Sequence, residues 1–285
     1  MKDAELLKRE IIENAHSYAE EKSIPYYESR GKAKVVMFEL YDNGKDHGNF
    51  LSASFNRILS HIEWKKRLEK QHQQKKALPE DRQKKAKELD SCNSSDALLM
   101  NIFCYPGITK RLKLSGLFGD YDLQEPEFGI NGKVPFKDGK YDTTEIDMKI
   151  GNVLVEAKLT EKDFTEKRKT HLSTYQNFED IFDIFKLPQN NINYLHYQLI
   201  RNILAAYAHK ISFFLICDER RPDLVKFFDD VRVCIKSESL KKRCHLLFWQ
   251  QIASIVPVDL QEFLKVKYGI LSKDFTKNWA GSLGV

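Results

Sequence analysis

The side chains with the clearest chemical potential are Asp147, Glu156 and Lys158, in the stretch TTEIDMKIGNVLVEAKLTE at positions 143–161. Gly151-Asn152 reads as the two-residue turn of a β-hairpin. Counting outward from it, Ile150 faces Val153, Met148 faces Val155, Asp147 faces Glu156 and Glu145 faces Lys158. Side chains alternate across a strand, so Glu145, Asp147, Glu156 and Lys158 share one face. Ile146, Met148, Ile150, Val153, Val155, Ala157 and Leu159 share the other. The register therefore predicts a core face and a small charged array. Directly opposed carboxylates have Cβ atoms about 4.5–5.5 Å apart and repel. Protonation of one acid or a divalent cation between them relieves that repulsion, and the cation is the economical choice. The plainer alternative is an amphipathic hairpin with a wet charged face.

The elements that must hold this hairpin are legible from pattern. NSSDALLMNIFCY at 93–105 has the Ser/Asn start and apolar spacing of a buried helix, ended by Pro106-Gly107. From about 127 to 159 the pattern is that of strands, with turns at Asp138-Gly139 and Gly151-Asn152. Residues 192–209 predict a helix, and ISFFLIC at 211–217 a strand buried on both faces, since it shows no polar alternation. From 222 onward the order is helix, short strand and helix. Upstream, residues 3–22 have helical periodicity, and Phe50–Lys87 reads as two long helices broken at Leu78-Pro79. The expected division is a helical section over 1–91, with a role in nucleic-acid contact, and a second domain over 92–285.

The spacing D-x8-E-A-K of Asp147, Glu156 and Lys158, on a hairpin preceded by a helix and followed by a helix and a buried strand, resembles the PD-(D/E)XK nuclease superfamily. Ile146 stands where that signature has its proline. The resemblance covers roughly residues 93–218 and implies an α/β restriction-endonuclease-like fold. Its core would be αβββαβ, with a mixed central sheet flanked by helices. It also implies a nuclease in which Asp147, Glu156 and the backbone carbonyl of Ala157 hold Mg²⁺, or Mn²⁺ in its place, through hard oxygen ligands. Lys158 would orient the attacking water and stabilise charge on the phosphate. Many members add an acid from the helix before the sheet. Asp96 is the candidate, against a simple role at a helix start that Ser94 or Ser95 could also fill, and Glu125 and Glu127 compete with it. On the following helix Gln198, Arg201 and Asn202 form a polar stripe, and Gln198 or Arg201 is expected to reach the metal or the scissile phosphate. RecB-like members place a Tyr four residues after such a Gln, whereas here that position is Asn202. Tyr197 and His196 read as packing or surface residues.

Composition bounds these expectations. The chain has 285 residues, 42% of them hydrophobic, which is enough for a sizeable core. Its charged start and short apolar runs predict neither a signal peptide nor a membrane span. Five scattered cysteines without a CxxC suggest neither a disulfide framework nor a zinc knuckle, and a reducing cytoplasm fits. The net charge is +5, and His61–Asp90 alone holds ten Lys or Arg against six Asp or Glu. Such a run is either a solvated surface or a phosphate-backbone contact. EKDFTEKRKTH at 161–171 and KSESLKKRCH at 236–245 admit the same two readings. His61, His72 and Trp64 read as covering an apolar helix face. No phosphate-binding GxxxxGK[ST] loop is present. The expected activity is cleavage of double-stranded DNA by a prokaryotic restriction or defence enzyme, plausibly a homodimer. The alternatives are a silent nucleic-acid-binding module, a nuclease on RNA or single strands, and a partner-dependent subunit.

Overall fold

The computed structural model describes residues 2–30 and 33–272. Its contacts divide the chain into two compact units, one formed essentially by residues 4–120 with 248–272, the other by residues 121–247. The division expected at 91/92 set a helical N-terminal section against the segment that resembles the nuclease core, whereas the contacts group residues 92–120 with that helical section. The helix after residue 92 packs with the helices before it.

In the first unit α1 (Lys2–Lys22) buries Leu7, Ile11, Ala15 and Ala19, a helical stripe as its periodicity predicts. Two short helices, α2 (Ser52–Ser60) and α3 (Ile62–Arg67), are separated by His61 in an extended conformation. The two long helices expected over Phe50–Lys87 are therefore not formed. Beyond Lys70 the sequence offers Ala77, Leu78, Ala86 and Leu89 among polar residues, too few for a continuous buried stripe, and helices in proteins depend on such a stripe. The segment folds instead as turns and 3-10 segments, with Leu78, Ala86 and Leu89 buried. Trp64 is buried, and the His61 ring stacks on it at 4.2 Å. Helix α4 (Ser95–Phe103) is buried along its length, and the Ser94 hydroxyl caps it by accepting from the Ala97 amide at 3.2 Å. Helix α5 (Ile108–Ser115) follows, with Gly107 and Gly116 in the left-handed region at its two ends. The helix Val258–Tyr268 belongs to the same unit.

The second unit carries the sheet. Strands β1 (Pro126–Asn131), β2 (Glu145–Ile150) and β3 (Val153–Ala157) form an antiparallel meander. Helix α6 (Tyr197–Ala208) leads to β4 (Ser212–Cys217), which is parallel to β3, and β5 (Cys244–Phe248) closes the sheet. The strand order is β5-β4-β3-β2-β1. Helix, three strands, helix and strand is the αβββαβ order implied by the resemblance. The helix expected from 192 starts only at Tyr197, because Asn193–Leu195 pairs as a strand with Glu166–Arg168 and His196 takes a φ of +58°.

The hairpin register is the one read from sequence: Ile150 faces Val153, Lys149 faces Leu154 and Met148 faces Val155. Gly151 has a φ of +57°, and a Cβ there would lie 1.8 Å from the Asp122 carbonyl oxygen, so both conformation and space exclude a side chain. The charged face differs from expectation in one respect. Strand β3 is central, paired with β2 on one side and β4 on the other, and α6 packs against it, so every residue of β3 is buried, including those of the charged face. All five cysteines are buried, and none is in a disulfide.

Candidate active site

Strand β3 ends in Glu156 and Ala157, Lys158 follows directly, and each of the three has a partner from another element. The carboxylate of Asp147, on β2 one position beyond the last ladder pair, accepts the Ala157 amide at 2.8 Å. That amide lies where the β2 ladder has stopped, so the side chain takes the place of a backbone acceptor. Glu156, 1% exposed, accepts from the Asn202 amide at 2.7 Å through Oε2 and from Lys158 Nζ at 2.9 Å through Oε1. Lys158, 5% exposed, also donates to Gln198 Oε1 at 3.1 Å and lies over the Phe164 ring. Its backbone amide donates to Ile216 of β4, which fixes the strand end between sheet and helix.

Electrostatics follow from this placement. Burial opposes the charge on Lys158, but Glu156, Glu161 and Asp147 together outweigh it, and the ammonium is held above the ordinary lysine range. The side chain is thus a fixed cation at the strand end.

Helix α6 supplies the rest of the framework. Arg201 is buried, donates from Nη2 to the Glu145 carbonyl at 2.8 Å, and grips Asn202 Oδ1 through Nε and Nη2 at 3.0 and 2.8 Å. Arg201 therefore braces Asn202, which in turn orients Glu156. The stripe Gln198, Arg201, Asn202 faces the charged side of the sheet and not solvent. Of its members Gln198 contacts Lys158 directly, whereas Arg201 acts through Asn202. His196 stacks on Phe227 at 4.3 Å, a packing role as expected. The Tyr197 hydroxyl donates to Asp142 at 3.0 Å and lies 2.7 Å from the Tyr175 hydroxyl, which also donates to Asp142. This buried cluster fixes the start of α6 and carried no short-range signal, since its members are separated by up to 55 residues.

The remaining acidic candidates have other partners or face solvent. Asp96 belongs to the other compact unit, where its Oδ2 accepts from Arg67 Nη2 at 2.8 Å and Lys70 Nζ at 2.9 Å. Glu127 is exposed and pairs with Lys149 at 3.1 Å, and Glu125 is exposed as well. Among the described residues no three His, Cys, Asp or Glu side chains converge as a cluster of metal ligands. Mg²⁺ takes one or two carboxylates and completes its octahedron with water and substrate phosphate, so the donor chemistry of Asp147 and Glu156 fits such an ion. Both Glu156 oxygens already have protein partners, so an ion bound there would share or displace the Lys158 contact.

A family model described as restriction endonuclease associating with ARP matches residues 8–269, nearly the whole chain. The chain belongs to this family. As a REase-ARP member it is a nuclease-like defence protein with a restriction-endonuclease-like fold, and the five-stranded mixed sheet with its packed helices is that fold. No curated protein and no solved structure matches the chain. No helix among the described residues is long and apolar enough to cross a membrane.

Proposed function

We propose that this REase-ARP member hydrolyses phosphodiester bonds of double-stranded DNA with Mg²⁺, or Mn²⁺ in its place, held by Asp147, Glu156 and the Ala157 carbonyl. The supporting observation is the convergence of Asp147, Glu156, Lys158 and Gln198 at the end of β3, within a chain of a restriction-endonuclease family. When bound, the ion would supply Lewis-acid polarisation of the phosphate and activation of water. The chain's own residues do the positioning. Asn202 holds Glu156 in one orientation, the Ala157 amide does the same for Asp147, and Gln198 fixes Lys158 Nζ. The Lys158 ammonium, kept charged by its acidic neighbours, stabilises negative charge that grows on the phosphate oxygens in the transition state. A break in both strands takes two such sites, and a homodimer is the simplest way to provide them.

The test is incubation of the purified chain with linear and circular duplex DNA, single-stranded DNA and RNA, with Mg²⁺ or EDTA, beside Asp147→Asn and Lys158→Ala. Duplex cleavage that needs Mg²⁺ and is lost in both variants is the expected result. Metal-independent cleavage, or cleavage that survives Asp147→Asn, would sink the assignment.

A second reading draws on the near-complete burial of Glu156 and Lys158. A polymer substrate must reach these groups, and the family's description names association with ARP. On this reading the isolated chain is silent and a partner opens the site. Cleavage that appears only on addition of that partner would select it.

A further inference from the structure

The motif EKDFTEKRKTH, left between a solvated face and a backbone contact by its sequence, occupies a defined position in the fold. Glu166–Arg168 pairs with Asn193–Leu195 as a separate two-stranded antiparallel sheet, and a helical turn, Lys169–Leu172, follows the first strand. Between them opens a cleft of about 670 Å³ lined by Glu166, Lys167, Arg168, Thr170, His171, Thr174 and Asn193. Lys167 and Arg168 are exposed and, among the described residues, have no carboxylate within ion-pair distance, in contrast to many lysines of the chain. The acid of the cleft, Glu166, accepts from Asn190 at 3.1 Å.

The cleft adjoins the candidate active site through the start of α6. Lys167 Nζ lies 5.5 Å from the centre of the Tyr197 ring, and the next residue, Gln198, holds Lys158. The segment between site and cleft is clamped there as well, because the Tyr197 amide donates to the Thr165 carbonyl and the Gln198 amide to the Phe164 carbonyl, both at 3.0 Å. The polar groups that line it are those of Lys167, Arg168, two threonines, Asn193 and His171 beside Glu166, and its two cations suit a chain of phosphates recognised without base readout.

We propose that this cleft is the backbone-phosphate subsite for the duplex strand that flanks the scissile bond, with Lys167 and Arg168 as its phosphate contacts. The proposal rests on the nuclease reading for its substrate, yet its test is separable. Binding of a fluorescein-labelled duplex to the full chain is measured by anisotropy in EDTA across a salt series. Wild type is compared with Lys167→Gln/Arg168→Gln and with Lys226→Gln, a control whose lysine is ion-paired to Asp230 at 2.7 Å. Thermal melts verify that each variant is folded. The expected result is a loss of affinity of about tenfold or more near 0.1 M salt in the double variant. Its log K against log salt slope should fall by about 2 units, with the control unchanged. Wild-type affinity in the double variant, an equal loss in the control, or no duplex binding by wild type would each overturn the subsite. Duplex cleavage by wild type, assayed separately with Mg²⁺, reports on the nuclease reading alone. Cleavage with unaltered binding in the double variant removes only the subsite, and binding lost in the double variant without any cleavage removes only the nuclease reading.

Discussion

At the scale of single residues, the candidate site couples catalysis to stability because its charges are buried. Lys158→Ala would strand Glu156, and breaking a buried pair costs about 3–5 kcal/mol, so urea denaturation should show a large loss of stability beside any loss of cleavage. Asp147→Asn is the cleaner probe: Asp147 is only half-buried, and an Asn carbonyl can still accept the Ala157 amide. Its stability is expected within about 1 kcal/mol of wild type while cleavage disappears. Asn202→Ala leaves Glu156 Oε2 buried without its donor. We expect about 1–3 kcal/mol of destabilisation in the same urea assay. Asp147, Glu156 and Lys158 were legible in sequence because period-two alternation and a two-residue turn fix their face. Asn202 was legible only as part of a stripe, since its partner Glu156 lies 46 residues earlier and no local pattern links them.

At the scale of elements, the hairpin turn is the most constrained joint of the sheet. Gly151→Ala combines a positive φ with a clash against the Asp122 carbonyl, and we expect it to cost about 1–3 kcal/mol, read as a fall in Tm. The strands, their register and the buried β4 follow from sequence because alternation and apolar runs report directly on pairing and burial. Element ends were less legible. Residues 193–195 form a two-stranded sheet by pairing with 166–168, a contact between segments distant in the chain that periodicity cannot report. The charge-rich stretch after Lys70 resembles a helix in composition, yet without an apolar stripe it finds no surface on which a long helix is stabilised. Burial of Glu156 and Lys158 was illegible for a related reason: only the packing of α6 shows that these charges meet polar side chains and not water.

At the scale of the whole molecule, the acid–base behaviour of the fold turns on Lys267. It is fully buried, donates to the Asn49 carbonyl at 3.1 Å, to the Asn49 side chain and to the Tyr268 hydroxyl at 3.0 Å, and has no carboxylate partner among the described residues. Burial lowers its pKa to about 7, far below the unfolded value near 10.4. Between these values the unfolded chain binds the extra proton, so stability rises with pH from about 7 upward, and the full penalty is present below 7. Urea midpoints recorded from pH 6 to 9 should climb in wild type and flatten in Lys267→Met. The five cysteines add a practical consequence. Every thiol is buried, and burial pushes those of Cys92 and Cys244 up to about 11 and about 12, so thiolate is scarce while the chain is folded. Maleimide dyes should therefore ignore the native protein. A single cysteine introduced on the surface, for instance at the exposed strand Glu166–Arg168, would become a unique labelling handle, and any background coupling would read out global opening.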